Sequence, residues 1–540
     1  MKNYESTVEK VFAHRLRRRG GKSDAGLASP RTGGRGRLLL WNALANIIRA
    51  GSTSLVSIVL PILLVLIMPP ASYAAWALIF GLAAYTLYLD LGMQATIQAL
   101  VAKHEGARDA AAVARVGVSA LKIIGVVILV CLAGACAVAI GLPVLFPEIP
   151  SVLLSQSQLG LLVIVFGQAS SLVGLVLSAH FAGQLRSMVA MVVIAPSRLA
   201  SLLGGAIGAV FTDNMVTIAV FYSVPLFLGT LVLLWRYLVD THHGRWLHPA
   251  NLEEVSVRYL LRYSGPLILW NVCMLVVSGA GIFIVGRVDY TQLPAYVIAA
   301  ALVTGLTSVS SAIVQPLLPE MTRAAAESDS GFALARLVRI SSQFNGVLLA
   351  TISVIVLICA PVALDLILDD AGGEDAVLVL ALLIAGNGLR LLTLPLSLAF
   401  IATNSHSRIL LPPVVEAGVN VTSSIAFGML FGAPGVALGY FLGSLTCLCL
   451  TMTWSKRISR RIVLKSSTLL FITLVLPLAV IFPTFVALVV VHLLSISESG
   501  FAFVVCLSSL TLTFPLIWLF GVPIEWRLRI RQRSVLRRTK

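Results

Sequence analysis

Residues 38–67 read LLLWNALANIIRAGSTSLVSIVLPILLVLI, an apolar run with one charge, Arg49. At about 1.5 Å per residue, a helix of that length reaches about 45 Å, ample for a hydrocarbon core about 30 Å thick. The run lacks the alternating polarity of a barrel strand. The rest of the chain repeats it. Further apolar stretches cover 74–99, 118–141, 156–181, 188–211, 215–236, 263–286, 291–317, 338–364, 376–402, 409–431, 433–454, 468–493 and 500–523. The expected fold is an all-helical polytopic membrane protein with fourteen spans. Composition agrees: 58% of the 540 residues are apolar and 11% charged, against about 25% charged in a soluble domain. Mean hydropathy is +0.97. Soluble enzymes and disordered scaffolds are thereby excluded.

A net charge of +16 raises the question of a nucleic-acid partner, which the placement of the cations answers. With an even number of spans both termini lie on one side. On that topology 35 of the 39 Lys and Arg residues fall on the side of the termini. The positive-inside rule makes that side cytoplasmic. Arg287 stands at an outer end, and Arg49, Arg198 and Arg390 lie within spans. The acidic loop with Asp369, Asp370, Glu374 and Asp375 falls outside. The basic tails, residues 1–37 and 524–540, are expected to face the anionic inner leaflet. Val8, Val11, Phe12 and Leu16 share one face of a helix that could lie in the interface. No nucleic-acid partner is expected, and the long polar N-terminus reads as a retained tail rather than a cleaved signal.

The loops narrow the chemistry. Outer loops run from about six residues (68–73) to about fourteen, too short for the site of a membrane glycosyltransferase, polymerase or ligase. Gly21-Lys22-Ser23 lacks the leading glycine and the strand–helix context of a P-loop. His242, His243 and His248 read as a solvated loop, and Asn420-Val421-Thr422 is a sequon inside a span. The seven cysteines sit in apolar runs as small hydrophobes, without metal-ligand spacing. No catalytic residue, metal or cofactor is expected.

What remains is polarity at membrane depth. An arginine at a helix centre costs about 2.5–3.5 kcal/mol on insertion scales, so one that persists faces a partner or water. Arg49 shares a helical face with Asn42, Asn46, Thr53 and Ser57. Span 2 carries Thr86, Asp90, Gln94 and Gln98. Span 7 carries Ser264, Asn271 and Ser278, and span 8 carries Thr304, Ser308, Ser311 and Gln315. Span 10 has Asn387, Arg390, Thr393 and Ser397; span 11 has Glu416, Asn420 and Ser423. These stripes read either as walls of one water-filled cavity or as interhelical hydrogen bonding. The cavity reading puts Asn42, Asn46, Thr53, Gln94, Asn271, Gln315, Asn387 and Asn420 on its wall. Asp90 and Glu416 either pair with an arginine or carry a coupling proton. Pro61, Pro196, Pro266, Pro395, Pro412 and Pro413 kink or open spans, as in transporters whose broken helices line a cavity.

Spans 1–6 and 7–12 are weakly parallel. Each set opens with an Asn-bearing striped helix, then a Pro-containing outer turn and a Tyr (Pro69-Pro70 to Tyr73; Pro294 to Tyr296). Two pseudo-symmetric six-helix lobes are therefore expected, 38–238 and 262–454. A cytoplasmic linker 239–261 joins them, and a helix pair follows at 468–523. Three segments carry a family resemblance: Leu66 to Tyr73 running on to Leu89-Asp90-Leu91-Gly92; Leu261 to Pro266 through Gly286-Arg287 and Tyr296 to Pro319-Glu320-Met321; and Val419-Asn420 with Phe431 to Gly435 and Ala437. In order and spacing the chain resembles the polysaccharide and lipid-linked oligosaccharide flippases of the multidrug/oligosaccharidyl-lipid/polysaccharide exporter superfamily.

That resemblance implies a two-lobed V-shaped fold in a bacterial inner membrane. It implies transport of an undecaprenyl-diphosphate-linked oligosaccharide to the outer leaflet by alternating access, for O-antigen, capsule or exopolysaccharide. A cationic central cavity follows, onto which Arg49, Arg198 and Arg390 map by position as diphosphate ligands. Anionic membrane lipids, a polysaccharide polymerase and chain-length proteins would be partners. A multidrug antiporter and a peptidoglycan-precursor flippase of the same superfamily remain alternatives. The long basic tail departs from the usual compact start of the family.

Overall fold

The computed structural model describes residues 32–90, 93–106, 109–242, 257–327, 332–368, 373–403 and 410–458. It divides into two compact units, Met1–Trp41 and Asn42–Lys540. Of the first unit only residues 32–41 are described, all helical. Spans 13 and 14, most of both tails, residues 243–256 of the linker and the acidic residues Asp369 and Asp370 lie outside the described set.

Every described element is helical. The helices are α1 (Thr32–Ile67), α2 (Pro70–Ala84), α3 (Met93–Gly106), α4 (Ala110–Leu145), α5 (Ser151–Gly183), α6 (Ser187–Phe211), α7 (Met215–His242), α8 (Val257–Val288), α9 (Leu293–Val314), α10 (Leu318–Glu327), α11 (Phe332–Leu368), α12 (Gly373–Leu392), α13 (Leu394–Ala402) and α14 (Leu411–Ile458). Ten stretches among them are long and apolar enough to cross a membrane. The chain is a multi-pass membrane protein of the all-helical class expected.

Two spans expected as single helices, 2 and 10, are broken, and span 8 ends in a 3-10 turn. Span 2 divides at the 3-10 segment Tyr85–Asp90, where Leu89 leaves helical geometry (φ −86°, ψ 19°). Span 8 passes through the 3-10 turn Gln315–Leu317 into α10. There Pro316 lacks the N–H a continuing helix needs. Span 10 breaks at Thr393, where Pro395 opens α13. Spans 11 and 12 run on as α14 across Gly432 (φ 63°, ψ −141°), a backbone region that only glycine occupies at little cost.

Breaks at membrane depth leave backbone groups that water does not reach, so other helices must supply partners. Pro395 cannot donate to the carbonyl of Leu391. The Asn345 amide of α11 donates to it instead, at 2.9 Å. Pro143 leaves the Ala139 carbonyl free, and Gln158 Nε2 of α5 fills it at 2.9 Å. At Gly432 the Asp289 carboxylate accepts from the Ala433 N–H at 3.3 Å. That cap meets the positive end of the second half of α14.

Within Asn42–Lys540, α5 packs against α3, α4 and α7, and α6 against α7. In the second half α14 packs on α8 and α12, and α12 on α9 and α11. The halves meet where α2 lies along α8 and α9. Leu78 faces Gly286, Gly81 faces Ile282 and Tyr85 faces Gly279; each pair of numbers sums nearly to a constant, which is antiparallel register. Phe146 and Phe283 close that end edge to face, 5.2 Å between centroids.

Replacing Gly432 by alanine should destabilise the protein by about 1–3 kcal/mol, because the backbone is glycine-only and the added carbon would meet the Asp289 carboxylate. Thermal unfolding in detergent reads this as a lower Tm; an unchanged Tm would contradict the kink.

Candidate functional site

Two groups of charge lie inside the bundle, one in each half. The first centres on Arg198 of α6, 6% exposed. Its Nη2 donates to the Ser171 hydroxyl of α5 at 3.4 Å. Tyr222 of α7 lies within hydrogen-bonding reach of both Arg198 and Gln168. Beside the guanidinium is a small pocket of about 20 Å³, lined by Ser171, Ser197 and Thr230 together with Leu175, Ile194 and Leu226. Arg49 of α1, half-buried, is close enough to Arg198 for the two charges to repel. Among the described residues the hydrogen-bond partner of Arg198 is the Ser171 hydroxyl; the side chain of Asp90 lies outside the described set. Two like charges near each other in a low dielectric raise the local positive potential.

The second group centres on Glu416 of α14, 0% exposed. Neither carboxylate oxygen has a hydrogen bond of good geometry. Arg390 of α12 and, from the second half of α14, Ser444 and Cys447 face it. Cys273 of α8 also feels its charge. Arg390 donates to Asn387 Oδ1 at 3.1 Å and contacts the Met274 sulfur at 3.8 Å. An acid and a base thus share one low-dielectric pocket, where the charge on either sets the field felt by the other.

Placement divides the remaining residues of the striped spans. Asn387 is buried in a seam, donating to Thr307 Oγ1 at 2.8 Å and accepting from the Tyr440 hydroxyl at 3.3 Å. Asn420 is buried as well. Both stand among packed helices rather than on an open wall. Thr53 is half-buried, its hydroxyl turned back to the Arg49 carbonyl at 3.2 Å. Gln94 and Asn271 are half-buried, and Gln98, Thr304 and Gln315 are exposed. Asn42 and Asn46 lie on α1 and Asp90 ends the 3-10 segment of span 2; their side chains fall outside the described set. Arg49 is thus brought to Arg198, while Arg390 is brought to Glu416.

Reading the stripes alone misses span 4. Gln168, Ser170 and Ser171 are buried on α5, and the run Gly167-Gln-Ala-Ser-Ser171 was a visible signal of close polar packing. The tyrosines at the junction of the halves were also missed. The Tyr85 hydroxyl donates to the Gly279 carbonyl, and the Tyr296 hydroxyl lies against Gly281. A side chain at Gly279 would collide with the Tyr85 ring, so the two helices touch only because that position is bare.

No family model matches the chain, and no curated relative matches it. Solved structures match its fold. A lipid II flippase MurJ in an inward closed conformation superposes with TM-score 0.62 at 12% identity, over 91% of this chain and 100% of that one. The MATE multidrug transporter DinF-BH, solved as a ligand complex, gives 0.59 at 13% identity, over 82% and 100%. An inward-facing multidrug resistance MATE family transporter of the MOP superfamily gives 0.58 at 14%, over 77% and 98%. The fold is therefore that of MOP-superfamily transporters.

In a cysteine-free background, Gln98→Cys and Gln315→Cys should react with a membrane-impermeant maleimide, whereas Asn420→Cys should stay unlabelled until the protein is denatured. Labelling of Asn420→Cys as fast as of Gln98→Cys would contradict the burial pattern.

Proposed function

We propose that the protein is a flippase that carries an undecaprenyl-diphosphate-linked oligosaccharide from the inner to the outer leaflet of a bacterial inner membrane, for surface polysaccharide. The like-charged pair Arg49 and Arg198 carries this reading. A diphosphate brings two negative charges and planar oxygen pairs, which guanidinium forks bind with short charge-assisted hydrogen bonds. Ser171, Tyr222 and Gln168 would orient the forks. A cationic drug would gain nothing at such a site, which weighs against a multidrug antiporter.

Arg390 is the third proposed ligand, held back by the charge of Glu416. Uptake of a proton or cation at Glu416 would free Arg390 for the anion and so couple the two. Asp90, at the break in span 2, is the other coupling candidate. The membrane potential contributes about 2.3 kcal/mol per charge per 100 mV, and drives an anion outward. The glycan would lie against the exposed polar residues Gln98, Thr304 and Gln315, with the polyprenyl tail in lipid. Thr53, Gln94 and Asn271, half-buried, and Asn42 and Asn46 remain proposed wall residues. Both termini are placed in the cytoplasm by the positive-inside count, with a polymerase and chain-length proteins as partners on the export route. The proposed lobes are 38–238 and 262–454, joined by the linker 239–261 and followed by the helix pair 468–523.

A second reading, a flippase for the peptidoglycan precursor, has one observation in its favour: the lipid II flippase covers 91% of this chain, against 82% and 77% for the two multidrug transporters. Both readings need the same anion site.

Deletion of the gene should leave lipid-linked oligosaccharide in the inner leaflet and strip the surface glycan from viable cells. Lethality with peptidoglycan precursor accumulating would transfer the reading to the second cargo. Normal glycan with drug hypersensitivity would overturn both. In complementation, Arg49→Ala with Arg198→Ala should abolish export at normal protein levels, and the corresponding lysine pair should restore part of it, since charge is kept and the fork is lost.

A further inference from the structure

A second basic site stands where α5 turns into α6, outside the buried pair. Leu185 has φ +59°, in the left-handed region that glycine usually fills. The turn is otherwise a regular helix end. The Arg186 N–H bonds the Phe181 carbonyl at 2.8 Å and the Leu185 N–H bonds the Ala182 carbonyl at 3.0 Å, the two bonds of a Schellman motif. A leucine there is strained where glycine would be free. It is exposed, as are Met188 on α6 and Trp235 and Leu238 on α7.

Next to it, the Asp240 carboxylate bridges two arginines. Arg186 reaches one oxygen at 2.9 Å and Arg236 the other at 3.2 Å. The group has a net charge of +1. The arginine side chains are 41% and 43% exposed, so much of each five-donor fork points outward. Arg186 is further fixed over the Phe181 ring, 5.6 Å from its centroid. The positive-inside count puts this turn at the cytoplasmic ends of its helices. The 26 residues from Met215 to Asp240 measure about 39 Å as a helix, longer than a hydrocarbon core of about 30 Å. Trp235 belongs at such a boundary.

We infer that Arg186 and Arg236, set by Asp240, bind the phosphate headgroup of an anionic phospholipid, with Leu185, Met188 and Trp235 against its acyl chains. Free phosphate would use the arginines but not the apolar rim, and the rim is what the strained leucine extends. Zwitterionic lipids lack the net negative charge that complements the group. The site uses none of the residues assigned to the transported anion, so it stands whatever the cargo proves to be.

Native mass spectrometry of the full-length protein in a neutral detergent tests this, with phosphatidylglycerol and phosphatidylcholine of equal chain length as probes. Phosphatidylglycerol should bind the wild type in preference, and Arg186→Gln with Arg236→Gln should weaken it roughly tenfold or more while phosphatidylcholine binding stays level. Asp240→Asn should leave phosphatidylglycerol binding at least as strong. Equal phosphatidylglycerol binding by wild type and double variant would overturn the site. So would displacement of the lipid by millimolar inorganic phosphate, since the apolar rim would then contribute nothing. Arg236→Gln alone keeps the Arg186–Asp240 pair and gives the same reading at smaller size if the double variant does not fold.

Discussion

Inside a bilayer no water stands ready to satisfy a stray carbonyl or neutralise a charge, and most of what this chain does at membrane depth answers that constraint. Where Pro395 and Pro143 withhold an N–H, Asn345 and Gln158 reach across from neighbouring helices to the orphaned carbonyls. Where Gly432 breaks α14, the Asp289 carboxylate caps the new helix start. The bends that shape the bundle are tolerated because the polar groups they release are met by specific side chains. Arg198 is the exception. Among the described residues its hydrogen-bond partner is a neutral hydroxyl, and a second arginine is near.

That exception separates the two halves. In the second, Glu416 and Arg390 offer each other opposite charge. In the first, Arg49 and Arg198 raise each other's cost, which is why the proposed anion is placed there. Structural arginines in membranes pair with acids or reach the interface. Arg186 and Arg236 pair with Asp240. The contrast between these two groups underlies the proposal of one for the membrane surface and the other for cargo. Between the halves, the antiparallel contact of α2 and α8 ends at Tyr85, where span 2 breaks. A rigid contact ending at a 3-10 segment is a natural place for a hinge.

Much of this could be read before any coordinates. Arg49 with Thr53 and Ser57 is visible as a stripe because helical spacing projects onto one face. The break at Pro395 is visible because proline lacks its donor. The break at Tyr85–Asp90 is not, since YTLYLD contains neither proline nor glycine. It accompanies a tertiary contact, Tyr85 on the bare backbone of Gly279. The sorting of polar residues was equally hidden. Asn387 and Gln315 look alike in a stripe, yet one is locked by Thr307 and Tyr440 and the other is exposed. Spacing gives the face of a helix; only the neighbouring helices decide whether that face is seam or wall. Gln168 and Ser171 escaped for a related reason, because they cluster rather than recur.

The assignment of cargo stands or falls with the affinity of the buried pair for phosphate oxygens. Titration calorimetry of the purified protein with a soluble, short-chain prenyl diphosphate measures it directly. Two charge-assisted contacts, each contributing about 1.5–3 kcal/mol, predict that Arg49→Ala with Arg198→Ala weakens binding by about a hundredfold or more. A double variant that stays folded and binds the diphosphate as tightly as the wild type would contradict the account.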